Sequence, residues 1–119
     1  MTLEESEPRE SEPRPAARPL DNFFDRHELD AILSVYGKMV ALGEWRDYAI
    51  GGGRDTAVFC IYRRASEIPL YRIEKRPRLA RRQGMYSIIG MTGQVLKRGH
   101  DLRQVMRIFD RKIWRVVGD

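Results

Sequence analysis

The chain reads as an α+β fold: an N-terminal helix, an antiparallel meander sheet of four to five strands, and a C-terminal helix. Two observations predict it. Apolar residues recur with a helical period over 25–42 and again from 101 onward. Between them lie short runs rich in β-branched and aromatic residues, joined by connections too short for parallel crossovers.

Each element has its own signal. The start carries Pro8, Pro13, Pro15 and Pro19 among Glu4, Glu5, Glu7, Glu10 and Glu12, with ESEPR at 5–9 echoed by SEPR at 11–14. Such a stretch buries too little apolar surface to offset its ordering entropy, so residues 1–22 are expected to be a disordered acidic tail and 23–119 a single domain. Asp25 with Glu28 three residues later is a capping box that starts a helix. Leu29, Ile32, Leu33, Tyr36, Met39 and Val40 form its apolar stripe, and Gly43 supplies a left-handed stop.

Strands are expected over Trp45–Ile50, Ala57–Arg63, Leu70–Lys75, Tyr86–Gly90 and Gln94–Arg98. Gly51-Gly52-Gly53-Arg54-Asp55, Ser66-Glu67-Ile68-Pro69 and Met91-Thr92-Gly93 separate them as turns. Ala57–Tyr62 is apolar on both faces and reads as a central strand, whereas Leu70–Lys75 alternates and leaves one face wetter. Asp101 and Gln104 repeat the capping signature. Leu102, Val105, Met106, Phe109, Ile113, Val116 and Val117 then form a second stripe, and both helices are expected on the more apolar sheet face.

The charge is unevenly spread. Of the net +5, residues 1–20 contribute −2 and residues 21–62 contribute −3, while residues 63–119 hold fifteen Lys and Arg against five acids, +10. Arg63 and Arg64 end the central strand, and Lys75, Arg76, Arg78, Arg81 and Arg82 crowd KRPRLARRQG. Arg103, Arg107, Arg111 and Arg115 step by four along the last helix, a drift of about 40° per step that makes one slanting stripe with Trp114 inside it. The candidate binding residues are Arg63, Arg64, Arg72, Arg76, Arg78, Arg81, Arg82, Lys97, Arg103, Arg107, Arg111, Trp114 and Arg115. An exposed indole among arginines suits a protein partner or a second copy of the chain. It also suits the phosphates and unpaired bases of a nucleic acid.

Catalytic chemistry is thinly supplied. His27 lies in the first turn of the first helix and His100 precedes the second, at no ligand spacing from each other. Cys60 is the only cysteine and sits in an apolar strand, where a thiol is inert core filling, so neither a disulfide nor a Cys–His nucleophile is expected. Gly51-Gly52-Gly53-Arg54 lacks the Lys-Ser/Thr of a phosphate loop. Glu74 is expected in a cross-strand ion pair, worth well under ~1 kcal/mol if exposed. No catalytic residue, metal or cofactor is expected. An enzymatic reading needs a pocket that gathers His100 with Asp101 or Glu74.

The start has no apolar signal-peptide core, and the longest apolar run, Ala57–Tyr62, is far short of the ~20 residues of a membrane helix. A cytoplasmic protein that does not enter the membrane is therefore expected.

The strings FDRHELDAILSVYGKMVALGEWRDYAI and VFCIYRRASEIPLYRIEKRPRLARRQGMYSIIGMTGQVLKRGHDL resemble an alphaproteobacterial family catalogued as domain of unknown function 2794. The likeness covers Phe23–Lys112, and PLYRIEK (69–75) and LKRGHDL (96–102) are its most specific parts. It implies a stand-alone bacterial cytoplasmic protein and carries no catalytic residue or ligand. The expectation from the residues is a non-catalytic protein-interaction or self-association module. The alternative is nucleic-acid binding through the basic C-terminal half.

Overall fold

The computed structural model describes residues 22–64 and 68–118, with side chains through Trp114. The expected tail lies outside the described residues except for Asn22, which bridges to Gly53. The Ser66–Glu67 turn also lies outside them.

Helix α1 spans Arg26–Ala41. The capping box is closed on both sides: Glu28 N donates to Asp25 Oδ1 at 2.8 Å, and Asp25 N donates to Glu28 Oε1 at 2.7 Å. At the other end Gly43 takes φ +79°. Gly43 N donates to Val40 O and Glu44 N to Met39 O, the paired bonds of a Schellman stop.

Five strands follow as the expected antiparallel meander, and the structure sets them in sequence order: β1 Asp47–Gly52, β2 Ala57–Tyr62, β3 Tyr71–Lys75, β4 Tyr86–Gly90 and β5 Val95–Gly99. Phe59, Ile73 and Ile88 stand in register across the middle. They are sealed by Ile32 and Met39 of α1 and by Leu102, Val105, Met106 and Phe109. Both helical segments therefore cover one sheet face. Rings bind the layers together: Trp45 and Tyr71 each meet Phe109 edge-on at 5.0 Å, and Tyr48 stacks on Phe59 at 4.9 Å.

Three details differ from the sequence reading, and one, the third below, fills in a segment that it left open. First, Leu33 and Val40 are 38% and 40% exposed, while Glu28, Ala31 and Ile32 face inward. Lys75 and Tyr86 hold the Glu28 carboxylate, and that anchor rolls the buried seam away from Leu33. Second, Gly51 and Gly52 belong to β1 rather than to a loop, and Trp45 is core rather than strand. Gly52 is where the chain at Asn22 and Phe23 presses on the strand, leaving no room for a Cβ.

Third, KRPRLARRQG forms a 3₁₀ turn at Pro77–Leu79 and closes at Gly84, φ +107°, against Gly99. Fourth, the C-terminal helix is not continuous. Helix α2 (Leu102–Met106), capped by Asp101, passes through a 3₁₀ turn at Arg107–Phe109 into α3 (Asp110–Gly118). Three residues at about 120° instead of 100° each add about 60° of rotation, so the expected arginine stripe is twisted at its middle.

Candidate functional site

The cations of the second half divide among several surroundings. Alternation along β3 and its extension puts Arg72, Glu74 and Arg76 on the sheet face opposite the helices. Arg72 Nε lies 3.3 Å from Glu74 Oε2 and Arg76 Nε lies 3.2 Å from Glu74 Oε1. Glu74 is thus buried and paired along its own strand, not across strands; its facing residues are Val58 and Ser87. A carboxylate already occupies the two forks, which leaves little attraction for an outside anion.

Other arginines are similarly engaged. Arg63 lies 3.9 Å from Glu44, and Arg78 lies 3.3 Å from Asp55. Arg64 also has an interaction partner. Arg81 and Arg82 are exposed on the turn after Pro77. Arg103 lines a small cleft against Ala31, Ser34 and Val35 of α1. The side chain of Arg115 lies outside the described ones.

One group does converge. Lys97, on the helix-covered face of β5 opposite Ile88, meets Gln104 of α2, Arg107 and Ile108 of the 3₁₀ turn, and Asp110, Arg111 and Trp114 of α3. Together they line an open groove of about 650 Å³. Its floor is the half-buried Ile108, which packs against the core. Its wall is Trp114, 72% exposed, in contrast to the buried Trp45. Asp110 Oδ2 lies 3.7 Å from Arg107 Nε, and Arg107 Nη1 donates to Gln104 Oε1 at 3.5 Å. Lys97 and Arg111 have no ion-pair partner among the described residues.

Periodicity found Arg107, Arg111 and Trp114. It missed Asp110, although a carboxylate three residues after an arginine is the usual helical pairing distance. It also missed Gln104 as a groove residue. Lys97 was a candidate, yet its approach to the helix depends on strand pairing that spacing does not show.

A second polar cluster ties α1 to the sheet. Glu28 Oε1 takes Lys75 Nζ at 2.8 Å, and Glu28 Oε2 takes the Tyr86 hydroxyl. Burial, then the bond to Glu28 and the charges of Glu28, Asp25 and Asp101, push the Tyr86 phenol far above its ordinary value of 10.0. Lys75 Nζ also donates to Phe23 O at 3.0 Å. Every group here has its partner, so the cluster acts as a clamp.

His100 is exposed and lines none of the clefts beside Trp114, Arg103, Arg46 or Arg78. Among the described residues no three His, Cys, Asp or Glu side chains gather as metal ligands, and no helix is long and apolar enough to cross a membrane.

Comparison with known proteins gives one match. No curated protein and no solved structure matches the chain. The model of a family described as "Protein of unknown function (DUF2794)" matches residues 22–106, from the Asn22 bridge through the end of α2. The match stops six residues before Lys112, where the sequence likeness ended, and leaves Arg107, Ile108, Asp110, Arg111 and Trp114 beyond it. Since it spans the helix, all five strands and well over half of the chain, the protein belongs to the DUF2794 family.

Proposed function

We propose that the chain is a non-catalytic interaction module whose groove beside Trp114 binds a protein segment presenting an apolar side chain next to acidic groups. The supporting observation is the exposed indole standing over the Ile108 floor with cations on the rim. Tryptophan and arginine are the side chains that most often dominate binding energy, and a groove of about 650 Å³ is of the size that holds a compact ligand. Asp110 neutralises Arg107 and leaves Lys97 and Arg111 as the rim cations, too few to follow a run of phosphates, which favours a protein segment over a nucleic-acid backbone. The same reading places the module in a reducing cytoplasm, where the lone thiol of Cys60 persists.

The test is capture from lysate by the full chain, by Trp114→Ala and by Arg111→Glu, each before and after nuclease treatment, with a mobility shift on single- and double-stranded probes. Proteins that survive nuclease and are lost from both variants support the reading. Equal capture by all three chains overturns it. Capture abolished by nuclease, with a retarded probe band, overturns it too and transfers the groove to nucleic acid.

A further inference from the structure

We propose that two copies of this chain pair through β1, antiparallel about a two-fold axis normal to the sheet, to make one continuous ten-stranded sheet. The surface is separate from the groove beside Trp114, and the proposal does not rest on the function assigned there.

The sheet has two edges, and only one is guarded. At β5 the charges of Lys97 and Arg98, with a register shift between Ile88 and Ile89, obstruct further pairing, although Val95 and Leu96 are exposed. Strand β1 has no such device along Tyr48, Ala49, Ile50, Gly51 and Gly52. Its outer side pairs with nothing among the described residues except Asn22, at Gly53. Tyr48 and Ile50 are each 47% exposed. Tyr48 meets Tyr36 of α1 at 5.0 Å, and on that flank of α1 lie the exposed Leu33 and Val40. Phe23, exposed as well, lies against Gly52. The apolar strip thus runs along both the helix and the edge strand.

Charge selects a second copy as the occupant. Asp47 begins the strand and Arg54 follows its end, and neither has an ion-pair partner among the described residues. Antiparallel pairing of like edges brings each Asp47 toward the Arg54 end of the other copy, twice over, whereas parallel pairing would set like charges together.

The register follows from geometry. A two-fold normal to the sheet keeps every side chain on its own face, so facing residues are both odd or both even. The Asn22 bridge ends the free stretch at Gly52. Centring on Ala49 uses most of that stretch: Asp47 faces the partner's Gly51, and Tyr48 faces the partner's Ile50 on the helix side, an aromatic–β-branched pair made twice.

Sedimentation equilibrium on the full chain over a concentration series tests the proposal. The expected species has twice the 13.9 kDa chain mass. Ile50→Lys raises its dissociation constant about a hundredfold, since two ammonium groups enter the contact, while Leu96→Lys on the β5 edge leaves it unchanged. Both positions are exposed, so both variants keep the fold. Ala49→Cys in a Cys60→Ser background cross-links on mild oxidation, because facing residues on the axis stand about 5 Å apart. A monomer throughout, without the cross-link, overturns the proposal. So does a dimer that survives Ile50→Lys and dissociates in Trp114→Ala.

Discussion

Replacing Glu28 with alanine removes the acceptor for three donors at once. The Asp25 amide, the Lys75 ammonium and the Tyr86 hydroxyl all converge on its carboxylate, which is 8% exposed. Removing one partner of a buried pair costs about 3–5 kcal/mol, because the remaining charge stays desolvated. A buried hydroxyl left unsatisfied adds about 1–3 kcal/mol, and loss of the reciprocal cap about 1 kcal/mol. These terms overlap, and Lys75 keeps its bond to Phe23 O, so the total belongs at the lower end, about 3–4 kcal/mol.

For a domain of this size that is a large part of the usual 5–15 kcal/mol, and it lowers Tm by about 12 °C or more. Urea unfolding followed by the fluorescence of the buried Trp45, in a Trp114→Phe background, measures it. A double-mutant cycle with Lys75→Met isolates the pair and should return a coupling above about 1 kcal/mol. A loss below about 1 kcal/mol in Glu28→Ala, or a coupling near zero, would refute the reasoning that this cluster fastens α1 to β3 and β4.

Other consequences are accessible to simpler measurements. The folded-state pKa of Tyr86 lies above its unfolded value of 10.0, so the stabilisation is fully present below pH 10 and is lost as pH rises beyond it, when the unfolded chain ionises first. Tyr86→Phe should flatten that alkaline decline in pH-dependent urea midpoints. Gly84→Ala should destabilise by about 1–3 kcal/mol, because φ is +107° and the new Cβ falls 2.5 Å from Gly99 O. Gly37→Ala, mid-helix with open space around it, should stabilise by about 1 kcal/mol; thermal melts distinguish the two. Trp114→Ala should change stability by no more than about 0.5 kcal/mol yet remove the fraction of fluorescence that iodide quenches.

Much of the candidate groove could be read in advance, and the reason is local. Residues 107, 111 and 114 are near neighbours on a helical surface whatever else the chain does, so a 100° step finds them. Period two could also have withdrawn Arg72 and Arg76 from the candidate patch. With Glu74 between them they must share a strand face, and a carboxylate between two guanidinium groups neutralises them. The crowding of arginines in the second half of the sequence concealed their division between the two faces of the sheet.

The sequence by itself determined the elements: Asp25 with Glu28, Gly43 and Asp101 mark helix ends through bonds to neighbours a few positions away, and alternation marks the strands. Antiparallel hairpin pairing followed too, since short turns allow little else, while the strand order was settled by the structure. Only the tertiary structure decided which flank of α1 is buried, because a contact between Glu28 and residues 47 and 58 positions away outweighs the average of the apolar stripe. It alone brought Lys97 to Trp114 and left β1 unpartnered beside an apolar flank. Capping and alternation are encoded within a turn or two of chain, whereas register and helix rotation come from packing between residues that no local pattern links.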